Sequence, residues 1–150
     1  MSFLQDHPHA LELAYDATLA ILRPLRRWLR PGGTAERLFV LGEEVTKGVV
    51  FDCRMCGQCV LHRTGMTCPM ACPKNMRNGP CGGVRPNGHC EILPEEPCVW
   101  VQAWERAQHM PRHGSGILQI LPPLDRRLED TSAWINELSG APHTPAGWPT

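Results

Sequence analysis

Lysine is almost missing from this chain: of fifteen basic residues only Lys47 and Lys74 are not arginine. Fifteen acidic residues balance them, leaving no net charge with histidine neutral. That balance removes the electrostatic footprint of a nucleic-acid binder or of a protein drawn to anionic membranes. The arginine bias fits fixed, hydrogen-bonded anion contacts better than a diffuse solvated surface. No apolar run approaches the roughly 18 residues that a membrane span needs. The opening MSFLQDHPHALELAYD lacks the basic-then-apolar order of a secretion signal, so a cytoplasmic location is expected. There is no glycine-rich phosphate loop, no dinucleotide fingerprint and no paired Ser–His–Asp context. Nothing therefore marks the chain as an enzyme on its own. At 150 residues it has room for one modest core and none for a large active-site barrel.

What the chain does have is cysteine, eight residues confined to the segment from Cys53 to Cys98. In a reducing compartment an even cysteine count reads as metal or redox chemistry before it reads as disulfides. The same segment holds Gly57, Gly65, Gly79, Gly82, Gly83 and Gly88 and few apolar residues. Such a stretch cannot build an ordinary core and stays loose unless something cross-links it. The expected fold is therefore a small, irregular, metal-nucleated domain of α-helix and coil. Its cysteine-rich loops would surround two clusters, with short helices flanking them.

Spacing narrows the metal. Cys53, Cys56 and Cys59 form a C-x2-C-x2-C run, written CRMCGQC, which lets one loop present three thiolates to three corners of a cubane while a fourth ligand arrives from elsewhere. Zinc sites more often use C-x2-C pairs, two and two. Cys68 and Cys72 are each followed by proline in CPMACP, and the bacterial ferredoxin pattern also closes on a Cys-Pro. Cys81, Cys90 and Cys98 lie in turn-like surroundings, NGPCGG, GHCE and EPCVW. Eight thiolates make two sets of four, enough for two [4Fe–4S] clusters. One [4Fe–4S] cluster plus one zinc is the second reading, and one cluster with spare thiols the third. Disulfides or two zincs also remain open, and spacing does not say which cysteine completes the first set. A catalytic thiol among seven others would compete with metal.

Arg54, Arg63, Lys74, Arg77 and Arg85 lie among the cysteines and are candidates to offset thiolate charge, with solvated surface as the equal alternative. His62 and His89, also inside the region, read as surface residues rather than ligands. Glycines beside the cysteines allow backbone N–H groups close to sulfur.

The flanks are helical in pattern. Residues 9–30 carry Leu11, Ala14, Ile21, Leu25 and Trp28 at near-helical spacing, with Pro24 expected to kink or split the helix and Pro31-Gly32-Gly33 to end it. Beyond a Gly-Gly linker such a helix is expected to dock on a partner, with packing on its own domain as the competing reading. Residues 35–52 mix a short helical turn with β-branched residues and show no clear chemistry. VWVQAWERAQH predicts a short helix with Trp100 and Trp104 one turn apart, packed over the cysteines. A further helix is expected from Asp130 or Thr131, capped by Thr131 or Ser132, followed by a proline-rich tail over the last ten residues. The resulting division is a docking arm and linker over 1–33, a cysteine-rich domain over 34–108, and a loop, helix and tail over 109–150.

The stretch CRMCGQCVLHRTGMTCPMACPKNMRNGPCGGVRPNGHCEILPEEPCVW resembles the cysteine-rich domain found at the C-terminus of atypical methylenetetrahydrofolate reductases, or as a separate small subunit beside them. The later LPPLDRRLEDTSAWIN is similar to that family's closing segment, so the likeness runs from about Glu36 to Leu138. All eight of the family's cysteines are matched here. The resemblance implies an accessory iron–sulfur subunit, not catalytic alone, that passes electrons to or from a flavin-bearing TIM-barrel subunit reducing methylenetetrahydrofolate. The flavin would reside only on that partner. A zinc-binding structural or regulatory subunit of a folate or corrinoid one-carbon enzyme is the alternative.

Overall fold

The computed structural model describes residues 3–143. Four α-helices, α1 (Pro8–Leu22), α2 (Glu36–Phe51), α3 (Val99–Ala107) and α4 (Ala133–Ser139), are joined by coil and short 3-10 turns. Among the described residues there is no strand, and only one isolated bridge, between His89 and Pro97. This is an α-plus-coil domain of the expected kind.

α1 starts with Pro8 in its first turn, where the missing N–H costs nothing. It ends before Pro24, which falls in a 3-10 turn over Arg23–Leu25. One face is tied to its own chain. Glu12 is fully buried, and its Oε2 accepts the backbone N–H groups of Arg112 and His113 at 3.3 and 3.1 Å. Asp16 accepts from Arg112 at 2.7 Å and lies 2.8 Å from the His113 ring nitrogen. Ile21, Leu25 and Trp28 stay exposed.

α2 replaces the mixed segment expected over residues 35–52. Val40, Val45, Thr46, Val49, Val50, Gly42 and Gly48 all weaken its helix propensity. Tertiary contacts decide the outcome: Glu43 and Lys47, one turn apart, are both buried and bonded at 2.6 Å. The Glu43 carboxylate accepts the Ser132 hydroxyl at 2.5 Å and the Ala133 and Trp134 N–H groups at 3.2 Å each. It therefore caps α4 from another helix, in addition to the cap from Ser132 onto the Ile135 N–H.

The apolar interior is split. Leu22 of α1, Phe39 of α2 and Ile135 of α4 meet in one cluster. Leu61, Met66, Cys68 and Met110 form another, with Leu11 and Tyr15 of α1 packed on it. The third joins Cys98, Trp100 and Ala103. Segments 1–33, 34–108 and 109–150 thus share cores, and thiols sit in two of the three. On α3, Trp100 is buried and donates to the Met76 carbonyl at 2.9 Å, whereas Trp104 is half exposed. Of the expected proline-rich tail, Ala141–His143 is a 3-10 turn, and residues 144–150 lie outside the described residues.

His62, read as a surface residue, is half-buried. Its ring stacks on Tyr15 at 4.6 Å between centroids and meets His113 edge-on at 5.8 Å. Burial, with Arg63 and His113 nearby, lowers its pKa from 6.5 to about 4. Between those values the unfolded chain binds the proton and the folded chain does not, so stability falls as pH falls. Urea unfolding at pH 7 and pH 4.5 is expected to show this loss, on the order of 3 kcal/mol at full effect, and His62→Phe is expected to shrink it.

Candidate metal centre

The loop carrying the cysteine triplet is built by its neighbours on both sides. α2 ends with Asp52 in the left-handed conformation, φ 49° and ψ 49°, with its N–H returning to Gly48 and that of Cys53 to Lys47. Met55, at φ 46°, and Gly57, at φ 67°, reverse the chain twice more. These turns bring Cys53, Cys56 and Cys59 to one cavity. The closing segment clamps the loop from outside. Asp130 N–H donates to the Met55 carbonyl and the Asn136 amide to the Gly57 carbonyl, both at 2.9 Å. Gln58, 1 % exposed, donates to the carbonyls of Pro123 and Pro142 and accepts the Asp125 N–H.

Gly57 faces the Leu128 carbonyl oxygen so closely that an added Cβ would lie 1.9 Å from it. Backbone overlap and positive φ act together, so Gly57→Ala is expected to cost about 1–3 kcal/mol. Chemical denaturation would read the loss.

Cys68 completes the cavity lining. It follows a tight turn whose Thr64 hydroxyl is shared between the Val60 and Thr67 carbonyls, and it precedes the 3-10 turn Pro69–Ala71. Burial raises the pKa of Cys53 and Cys56, and raises that of Cys68 to about 12. The charges of the other thiols of the set push the same way. Cys53, Cys56 and Cys68 therefore favour the neutral thiol unless a positive centre offsets their charge.

Two cations adjoin this set. Lys47, absent from the sequence-based candidates, is neutralised by Glu43 and lies 4.8 Å from the Trp134 ring centroid. Burial works against its charge, but Cys59, Glu43 and Cys53 outweigh it and hold the ammonium above its ordinary range. Arg77 is the other. Of the remaining candidate cations, Arg54 pairs with Asp52 at the surface, Lys74 pairs with Glu91, Arg63 donates to the His62 ring and Arg85 is exposed.

Cys72, Cys81, Cys90 and Cys98 line a second, more open cleft of about 750 Å³, which Cys68 also reaches. Cys98 is the N-cap residue of α3, where a thiolate meets the positive end of the helix. Cys90 N–H donates to Glu96 and Cys98 N–H to Gly88, each at 2.9 Å, pinning the turns that carry them. Cys81 Sγ lies 3.6 Å from Glu91 Oε1. All eight cysteines are free thiols. Of the eight predicted residues, Cys53, Cys56 and Cys59 line the first cavity, Cys72, Cys81, Cys90 and Cys98 line the second, and Cys68 lines both. His89 bonds the Pro94 carbonyl at 2.8 Å and lines neither site.

The donor set fits a soft metal centre, four sulfurs to a site. Among the described residues no group of three or more His, Cys, Asp or Glu side chains converges as a single metal ion requires. The first cavity is small, about 20 Å³, so its thiols would have to change rotamer to hold either a cluster or a lone ion.

The chain is a small helical, cysteine-rich domain whose eight thiols line two cavities in its coil. This chain belongs to the family described as methylene-tetrahydrofolate reductase C terminal, whose model matches residues 33–127. The match takes in α2, all eight cysteines and α3. No curated protein and no solved structure matches the chain. No helix among the described residues is long and apolar enough to cross a membrane.

Proposed function

We propose that this chain is an iron–sulfur electron-transfer subunit that works with the flavin-bearing barrel of a methylenetetrahydrofolate reductase. The observation that carries the reading is that the eight thiols line two cavities, the first taking the whole C-x2-C-x2-C run, with Cys68 reaching both. The family supports the partner: its description ties this domain to a methylene-tetrahydrofolate reductase, whose barrel would supply the flavin. Bound at the two sites, [4Fe–4S] clusters would supply single electrons to a flavin that delivers a hydride.

The chain's own residues have three tasks in this reading. The closing segment excludes water from the first site through Gln58, Asn136 and Asp130. Arg77 sets positive charge beside the buried thiols, while Lys47 is balanced by Glu43. The second cleft is open, which suits exchange with a partner.

Anaerobic purification with iron, acid-labile sulfide and zinc assays tests the reading. About eight iron and eight sulfide per chain, with visible absorbance that bleaches on dithionite, is the expected result. Zinc without sulfide would overturn it and leave a structural module, and about four iron with one zinc would divide the cysteines between the two roles.

A further inference from the structure

Arg77 is the one cation at the first site, among the described residues, that no carboxylate neutralises. Its Nε donates to the Pro122 carbonyl at 2.9 Å. That carbonyl is held in place by Asn78, which bonds both the N–H and the carbonyl of Leu121, at 2.7 and 3.1 Å. The anchored side chain lines the cavity shared by Cys53, Cys56, Cys59 and Cys68. Both terminal nitrogens, Nη1 and Nη2, are buried and have no hydrogen-bond partner. Guanidinium donors left so are rare, because every buried N–H without an acceptor keeps its full desolvation penalty. The guanidinium also interacts electrostatically with Cys56, Cys68 and Cys59. Lys47, in contrast, spends its charge on Glu43 at 2.6 Å.

A forked, fixed cation with free donors beside four thiols has an evident acceptor in sulfur. Hydrogen bonds to the sulfurs and nearby net charge are what set a cluster's potential. Resting on the iron–sulfur reading above, we infer that Arg77 is a positioning residue for the cluster held by Cys53, Cys56, Cys59 and Cys68: its free N–H groups donate to sulfur, and its charge favours the reduced state. A cluster held there would gain one negative charge on taking one electron from a reduced flavin or a chemical titrant, and the buried Arg77 guanidinium would stabilise that charge. Arg77 thereby makes the two clusters unequal, with the first poised to hold the electron.

The test is an EPR-monitored redox titration of the anaerobically purified full chain, wild type beside Arg77→Gln and Arg77→Lys, with iron and sulfide measured on each. Gln keeps donors and loses the charge; Lys keeps the charge and loses the fork. Arg77→Gln is expected to shift one cluster's reduced-to-oxidised ratio about tenfold toward oxidised, a midpoint about 59 mV lower for a one-electron couple. Arg77→Lys is expected to stay within about threefold of wild type, and the other cluster not to move. An unchanged midpoint in Arg77→Gln, or equal falls in both variants, would overturn the role. If Gln fails to load the cluster while Lys loads it, the need for a cation is supported; if neither loads, the residue is merely structural and the role is overturned. Wild type without iron and sulfide would instead sink the cluster reading itself, a result visible before any titration.

Discussion

Replacing Glu43 with alanine is expected to destabilise the fold by about 3–5 kcal/mol, the cost of removing one partner from a buried ion pair. Glu43 is 4 % exposed and Lys47 7 %. The carboxylate takes the Lys47 ammonium, the Ser132 hydroxyl and the first N–H groups of α4. Alanine would leave a buried charge and several donors without acceptors at once. Glu43→Gln tests the division of the effect, since an amide still accepts from Ser132 or the α4 backbone but no longer balances Lys47. Its loss is expected to be smaller than that of alanine. Chemical denaturation of wild type, Glu43→Ala and Glu43→Gln checks the order, and equal stability of all three would show that the pair carries no weight.

The second large effect concerns metal. Cys56→Ser and Cys90→Ser are each expected to lose one cluster and keep the other, so iron and sulfide fall to about half in both. The double variant is expected to hold almost none. Cys56 lines a cavity with Cys53, Cys59 and Cys68, and Cys90 lines a cleft with Cys72, Cys81 and Cys98 that Cys68 also reaches. Two members of one group would behave differently: Cys56→Ser and Cys68→Ser together should lose no more iron than either alone. Iron analysis with EPR of the reduced proteins reads all of these. Complete loss in either single variant would mean that the sites are not independent.

Much of this was legible in the cysteine spacing. The triplet had to form one loop, and its three cysteines line one cavity. That Cys68 reaches the triplet's cavity as well as the second cleft was not legible, because the turns at Gly65 and Met66 before it are set by packing against the Ala103 backbone. Pro24 marked a helix end, and of the two caps expected, Thr131 or Ser132, the second holds, with the helix starting at Ala133 rather than at Asp130 or Thr131. α2 was hidden for the opposite reason. Its valines and glycines argue locally against helix, and Glu43 and Lys47 look like an ordinary surface pair until α4 covers them.

The arginines teach the same lesson. Arg54 and Arg77 were indistinguishable in sequence, one near the first cysteines and one just past Cys72. Only the tertiary fold leaves Arg54 at the surface with Asp52 while it buries the Arg77 guanidinium against four thiols. Likewise LPPLDRRLEDTSAWIN shows no chemistry of its own. Its work is to cover the triplet loop, through Asp125, Asp130 and Asn136.

The most direct measurement is anomalous diffraction at the iron edge from crystals of the anaerobically purified chain. Two iron peaks are predicted, one ringed by Cys53, Cys56, Cys59 and Cys68 with Arg77 beside it, the other by Cys72, Cys81, Cys90 and Cys98. A signal at the zinc edge alone, or one iron site drawing cysteines from both groups, would contradict the account.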